Sequence, residues 1–174
     1  MLPLGNQTPY KAVAIAREGT TIIPTRDTRF VEGDLVFVIC TSDGVKEAMT
    51  YSGKNEIDIN KLMIVGGGRI GEMLARKMEN NVEIIKMIEQ REERCEYLAE
   101  TLDKALIIHG DGRNTDLLIE EDVKDFDAFV AVTSSSETNI LACVAAKKMG
   151  VPKTIAEVEN IEYIRLAESM GVDA

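Results

Sequence analysis

The sequence is short of the residues from which reactive centres are most often built. In 174 residues it has one histidine, His109, and three cysteines, Cys40, Cys95 and Cys143. The cysteines stand far apart and show no metal-ligand spacing. Each falls in an apolar context, where a buried thiol behaves as a small hydrophobe. His109 ends a hydrophobic run without an identifiable partner, so it reads as structural or surface-exposed rather than as the base of a hydride transfer. No apolar run approaches the ~20 residues that span a bilayer. The opening "MLPLGNQTPYKAVAIAREG" lacks the basic-then-apolar layout of a signal peptide, which makes a cytoplasmic location the expectation. Positive charge is also in deficit: 20 Lys and Arg stand against 30 Asp and Glu, a formal net charge of −10. Such a surface repels phosphate backbones and anionic lipid headgroups, which excludes nucleic acid as a partner and direct membrane insertion as a mode of attachment.

What is present falls into two textures, divided near the polar "TYSGKNEIDIN", Thr50 to Asn60. Before the divide, Val13 and Ile15 alternate with small residues, Ile22 and Ile23 run into Pro24, and "DLVFVIC" reads as a buried strand. "EGD" at Glu32 to Asp34 is a turn in which Gly33 is free to take positive φ. Three short strands make a poor core of their own, so this segment reads as the end of a domain whose beginning is missing. After the divide, strand-like runs ("LMIV" 62–65, "VEIIKMI" 82–88, "ALIIH" 105–109, "AFVAV" 128–132, "TIAEV" 154–158) alternate with helical patterns. Ile70, Met73, Leu74 and Met78 share one helical face, as do Cys95, Leu98, Ala99 and Leu102, while Ile140, Val144 and Met149 lie close together on a later segment. Strand–helix alternation at this spacing predicts an α/β fold: a Rossmann-like parallel sheet with right-handed crossovers and helices on both faces.

Gly66, Gly67 and Gly68 stand where the first of these strands should turn into its helix, and with Gly71 they give G-x-G-x-x-G. Gly66 permits the tight turn, Gly68 lets the main chain approach a pyrophosphate, and Gly71 allows close helix–strand packing. The diphosphate then rests on the free N–H groups of the helix that begins near Arg69 and Ile70. Glu89 ends the second strand 23 positions after Gly66, close to the ~20 expected for the carboxylate that accepts hydrogen bonds from an adenosine ribose. A glutamate there repels a 2′-phosphate, which favours NAD or an adenine nucleotide over NADP. Asp111, and Thr133 with Ser134, lie just beyond the third and fourth strands, on the sheet edge where ligands of this fold bind. Ser134 to Ser136 read equally well as caps for the helix carrying Ile140. The acidic run "EQREERCEYLAE" reads as a solvated helix face.

"IVGGGRIGEMLARKM", "IEQR", "IIHGDGRNTDLL", "FVAVTSSSETNILACVAAKKMG" and "IRLAESMGVD" together resemble the nucleotide-binding N-lobe of an RCK domain (regulator of potassium conductance), as found in the peripheral subunits of bacterial Trk-type potassium uptake systems. The resemblance covers residues 61–174. The stretch within residues 1–52, "AVAIAREGTTIIPTRDTRFVEGDLVFVIC", resembles the later part of an RCK C-lobe, a small α+β domain. A C-lobe followed by a second N-lobe is what an internal piece of a tandem-repeat member would contain, so the resemblance implies a fragment of a longer polypeptide.

That resemblance implies a non-catalytic regulator responsive to NAD(H), with ADP or ATP as the alternative. It places Gly66 to Ile70 at the diphosphate, Glu89 at the ribose, Asp111 near the adenosine, and Thr133 and Ser134 beside the rest of the dinucleotide. It also implies a membrane-embedded potassium transporter subunit as partner, peripheral placement on the inner face of the membrane, and a homo-oligomer of paired lobes. One departure stands out: members of the family often carry Arg after the fifth strand, in an "ARV"-like stretch, whereas this chain has "AEVEN" with Glu157. A carboxylate there disfavours a γ-phosphate. Two rivals remain: an NAD-dependent oxidoreductase fragment lacking its substrate domain, and a regulator whose C-lobe senses another ligand such as a cyclic dinucleotide.

Overall fold

The computed structural model describes residues 9–17, 19–52 and 58–173, with only the backbone described at Tyr51 and Ile161. Of the divide read at Thr50 to Asn60, residues 53–57 lie outside the described residues, as do the opening residues 1–8. The chain splits into two compact units, Met1–Ile57 and Asp58–Ala174.

In the first unit, β1 (Tyr10–Arg17), β2 (Thr20–Ile22) and β3 (Leu35–Cys40) form an antiparallel sheet in the order β2-β1-β3, followed by the helix α1 (Ser42–Ser52). Gly33 adopts φ 89° in the expected turn, which the Asp34 N–H closes on the Val31 carbonyl at 3.2 Å. Arg17 reaches from the end of β1 to the Asp34 carboxylate at 2.7 and 2.8 Å. That bond, with the Val31 N–H, holds the Asp34 carboxyl down to about 2. Two expectations fail here. "DLVFVIC" is not buried on both faces: Leu35, Phe37 and Ile39 are 57%, 49% and 66% exposed. An antiparallel sheet with a single helix beside it covers one face only, so the continuous apolar run misleads. Cys40, the last residue of β3 and on the strand's other face, is likewise exposed rather than a buried hydrophobe.

The second unit is built on five parallel strands. In chain order come β4 (Lys61–Val65), α2 (Arg69–Met78), β5 (Ile84–Glu89), α3 (Glu92–Thr101), β6 (Ala105–His109), α4 (Thr115–Glu120), β7 (Ala128–Ala131), α5 (Ser136–Lys148), β8 (Lys153–Ala156) and α6 (Ile161–Ser169). The sheet order is β6-β5-β4-β7-β8, with every neighbouring pair parallel. The chain runs outward from β4 in one direction and then returns to build the other, which creates a switch point between β4 and β7. This is the Rossmann-like sheet that strand–helix alternation predicts.

Side-chain alternation along the strands divides the core in two. Leu62 and Ile64, Ile85 and Met87, and Ala128 and Val130 point to the face covered by Ala75 of α2 and Leu98 of α3. Met63 and Val65, Ile88, and Phe129 and Ala131 point to the opposite face, against Leu118, Ile140, Cys143, Ala146 and Ala167. Both faces being covered, the strands read as unbroken apolar runs. The expected helix faces need adjustment. On α2 the contact is made by Gly71 and Ala75, with Leu74 and Met78 half-buried, while Ile70 and Met73 face solvent. On α3, Ala99 is exposed. Small residues at 71 and 75 let α2 lie close to the sheet, which turns the larger side chains outward.

Candidate functional site

Four glycines shape the connection from β4 to α2, and three of them are required by the chain itself. Gly66 sits at φ 102°, and a Cβ there would meet the Thr133 nitrogen and the Val132 carbonyl group at 2.9 Å. A Cβ on Gly71 would run into the Gly66 carbonyl oxygen, and one on Gly67 into the Leu98 side chain. Gly68 differs. Its φ of −65° suits any residue, and among the described residues no atom beyond its own chain neighbours lies within 4 Å of where its Cβ would stand. The first N–H groups of a helix have no intrahelical acceptor, and Gly68, in the N-cap position, supplies no side chain to meet them.

Glu89 comes to this turn from the end of β5. Its carboxylate is buried, at 7% exposure, and accepts from the Gly67 N–H at 2.7 Å. The other oxygen accepts from the Arg91 N–H at 2.9 Å and from Arg91 Nε at 3.3 Å. Burial pushes the Glu89 carboxyl up, but the N–H groups of Arg91 and Gly67 and the Arg91 guanidinium together outweigh it, and the group lies below its usual range. Asp111 is also held low, chiefly by the Arg113 guanidinium, which meets it at 2.7 Å, and by the Arg113 N–H. Both carboxylates are therefore anionic at neutral pH, each with an arginine beside it, so the rim of this cleft is far less acidic than the chain as a whole.

A cleft of about 530 Å³ opens at the carboxyl edge of the sheet, lined by Gly66, Gly68, Glu89, Arg91, Asp111, Arg113, Thr133 and Ser134 among others. An adjoining hollow of about 250 Å³ is lined by Gly68, Arg69, Ile70, Thr133, Ser134, Asn139, Glu157 and Glu159. The candidate residues thus fall into three groups. Gly66, Gly68, Glu89, Asp111, Thr133 and Ser134 line the main cleft. Arg69 and Ile70 line the hollow beyond Gly68. Gly67 and Gly71 line neither and serve the turn from behind. His109 stands outside the cleft lining; its Nε2 lies 3.0 Å from the Gln90 carbonyl oxygen. Of the three candidate serines, Ser135 caps α5, accepting from the Thr138 N–H at 3.1 Å.

Several residues at the site carry no motif. Asn139, 1% exposed, accepts from the Thr133 N–H at 2.8 Å and hydroxyl at 2.6 Å, and donates to the carbonyls of Thr133 at 3.1 Å and Glu157 at 2.9 Å. It ties the loop after β7 to the loop after β8. Arg94 of α3 donates to the Gly67 carbonyl at 2.7 Å. The signal for Asn139 was its polar side chain on the inward face of an apolar helix; Arg94 had none, being one of several charges in an acidic run.

Fold and site together define a Rossmann-type α/β lobe with a glycine-rich turn that borders a cleft at its switch point. The TrkA-N domain model matches residues 62–174 and the TrkA-C domain model residues 3–53. The chain belongs to the TrkA-N domain family. A Trk system potassium uptake protein TrkA from Halomonas elongata is 36% identical over 94% of this chain, and the match covers 35% of that protein. The chain thus spans about a third of the length of the curated relatives it matches. Among solved structures, the GsuK RCK domain aligns over 96% of this chain and 35% of its own, with a TM-score of 0.62 at 19% identity. The GsuK channel bound to NAD and GsuK bound to ADP each align over 74% of this chain, and over 24% and 35% of their own, with TM-scores of 0.57 at 15% and 16% identity. The RCK-type fold expected from the sequence is present. Among the described residues no helix is long and apolar enough to cross a membrane.

Proposed function

We propose that this chain is part of the nucleotide-sensing regulatory subunit of a Trk-type potassium uptake system, with NAD(H) as the ligand of its five-stranded lobe. Residues 61–174 serve as the RCK N-lobe and residues 1–52 as part of a preceding C-lobe. The observation that carries the reading is Gly68: neither its backbone angle nor its packing requires glycine, and the space it leaves opens onto the cleft. A diphosphate placed there meets the helix N–H groups, and the anionic Glu89 is set to accept from a ribose hydroxyl. The names of the curated relatives support the potassium-uptake role, and a structural neighbour described as bound to NAD supports the ligand. ADP is the alternative ligand. ATP fits less well, because Glu157 and Glu159 line the hollow into which a third phosphate would extend.

The subunit acts without chemistry on its ligand. It sits on the cytoplasmic face of the membrane through a membrane-embedded transporter subunit, and copies pair through their N-lobes. Bound nucleotide alters the arrangement of paired lobes, and that change gates the transporter. Moving a two-state population from 1:99 to 99:1 needs about 5.5 kcal/mol of differential binding, which sets what the ligand must supply across the lobes of an assembly.

Calorimetry with NADH, NAD+, ADP, ATP and a cyclic dinucleotide tests the reading. NADH or ADP heat that vanishes in Gly68→Asp, with the melting temperature of the unliganded protein preserved, is the expected result. Heat from the cyclic dinucleotide alone, or from none of the five, refutes it. Sustained loss of NADH absorbance with carbonyl substrates would return the chain to the oxidoreductases.

A further inference from the structure

The direction of the glycine turn is set from outside the cleft, by a residue that does not line it. Arg94 stands on α3 with Nε donating to the Gly67 carbonyl at 2.7 Å and Nη2 donating to Glu72 of α2 at 2.6 Å. Its guanidinium lies 4.5 Å from the centre of the Tyr97 ring. In a trans peptide the C=O and the following N–H lie in one plane and point in opposite directions across the C–N bond. The Gly67 carbonyl, drawn toward α3, therefore sends the Gly68 N–H the other way, and Gly68 is a cleft residue. The preceding peptide obeys the same rule: the Gly67 N–H goes to Glu89, and the Gly66 carbonyl oxygen lies against Gly71. One carboxylate and one guanidinium thus fix two successive peptide planes. Those planes join glycines, whose backbone angles are otherwise the least constrained of any residue.

We propose that Arg94 is a positioning residue of the nucleotide site, aiming the Gly68 N–H at the diphosphate by holding the Gly67 carbonyl. The assignment rests on the cleft being a nucleotide site, as argued above. Loss of Arg94 falls mainly on Gly67, because Glu72 keeps a second cation in Arg76 at 3.0 Å. The adenosine end of the cleft, at Glu89 and Asp111, has its own partners in Arg91 and Arg113.

The test compares ADP with adenosine, which lacks the diphosphate, on the whole chain and on Arg94→Met and Arg94→Lys. It adds the residual dipolar coupling of the Gly68 N–H in the unliganded proteins. Arg94→Met is expected to weaken ADP about tenfold, the scale of one charge-assisted hydrogen bond, to leave adenosine unchanged, and to change the Gly68 coupling. Arg94→Lys, which keeps the charge and loses the fork, is expected to recover only part. Equal losses for ADP and adenosine, no loss for either, or an unchanged coupling would overturn the proposal; so would full recovery in Arg94→Lys. A wild-type chain that binds neither ADP nor NADH refutes the nucleotide reading instead, and the coupling then still decides whether Arg94 sets the peptide.

Discussion

Glycines that look equivalent in the sequence do different work at positions 66 to 71, and substitution separates them. Gly71→Ala forces a Cβ against the Gly66 carbonyl, backbone against backbone, and should cost about 1–3 kcal/mol as overpacking does, read as a lower urea midpoint. Gly68→Ala has open space and an ordinary φ, so it should cost no more than about 1 kcal/mol, the N-cap preference for Gly over Ala, while NADH affinity falls. Glu89 adds a pH signature. Its folded carboxyl lies below its usual 4.5, so its contribution is complete above that value and is lost as pH falls through the folded value. Melting temperature should therefore drop below pH 4.5 in wild type and drop less in Glu89→Gln.

At the scale of elements, the loops after β7 and β8 are held together through one buried side chain. Asn139→Ala strands the Thr133 N–H and two carbonyls in a half-buried setting. It should cost about 2–3 kcal/mol, the penalty of unmade buried hydrogen bonds, and thermal melting will show it. β4, β5 and β7 were legible because residues buried on both faces leave apolar runs of strand length between polar, turn-forming segments. The glycine turn and Glu89 were legible because their spacing follows from the ligand geometry such a turn serves. The sidedness of β3 was not, since an apolar run states hydrophobicity and says nothing of how many layers are available to cover it. α1 went unread because "SDGVKEAMTYS" opens on turn-forming residues and lacks a clear apolar face. Arg94 and Asn139 act through partners 22 or more residues away (Glu72, 22; Gly67, 27) or across a loop (Glu157, 18), contacts that local pattern does not encode.

Across the whole molecule, burial is uneven. Among the described residues the first unit's buried apolar side chains are Tyr10, Ala12 and Ile15, whereas the second unit has two extensive clusters, one on each sheet face. Opening free energies follow buried contact density. Amides of β1 and β3 should therefore exchange with solvent faster than those of β4, β5 and β7 by hydrogen-exchange mass spectrometry. NADH should slow exchange around Gly66–Gly71 and leave β1 and β3 unaffected. Among the described residues, β3 is also the outer strand of its sheet, so unpaired amide and carbonyl groups run alongside Leu35, Phe37 and Ile39. Such a border accepts further strands readily. The chain's net charge of −10 opposes the approach of any two copies, and a buffer near its isoelectric point of 4.7 weakens that repulsion, so concentrated stocks should scatter less light at neutral pH and low salt than at pH 4.7.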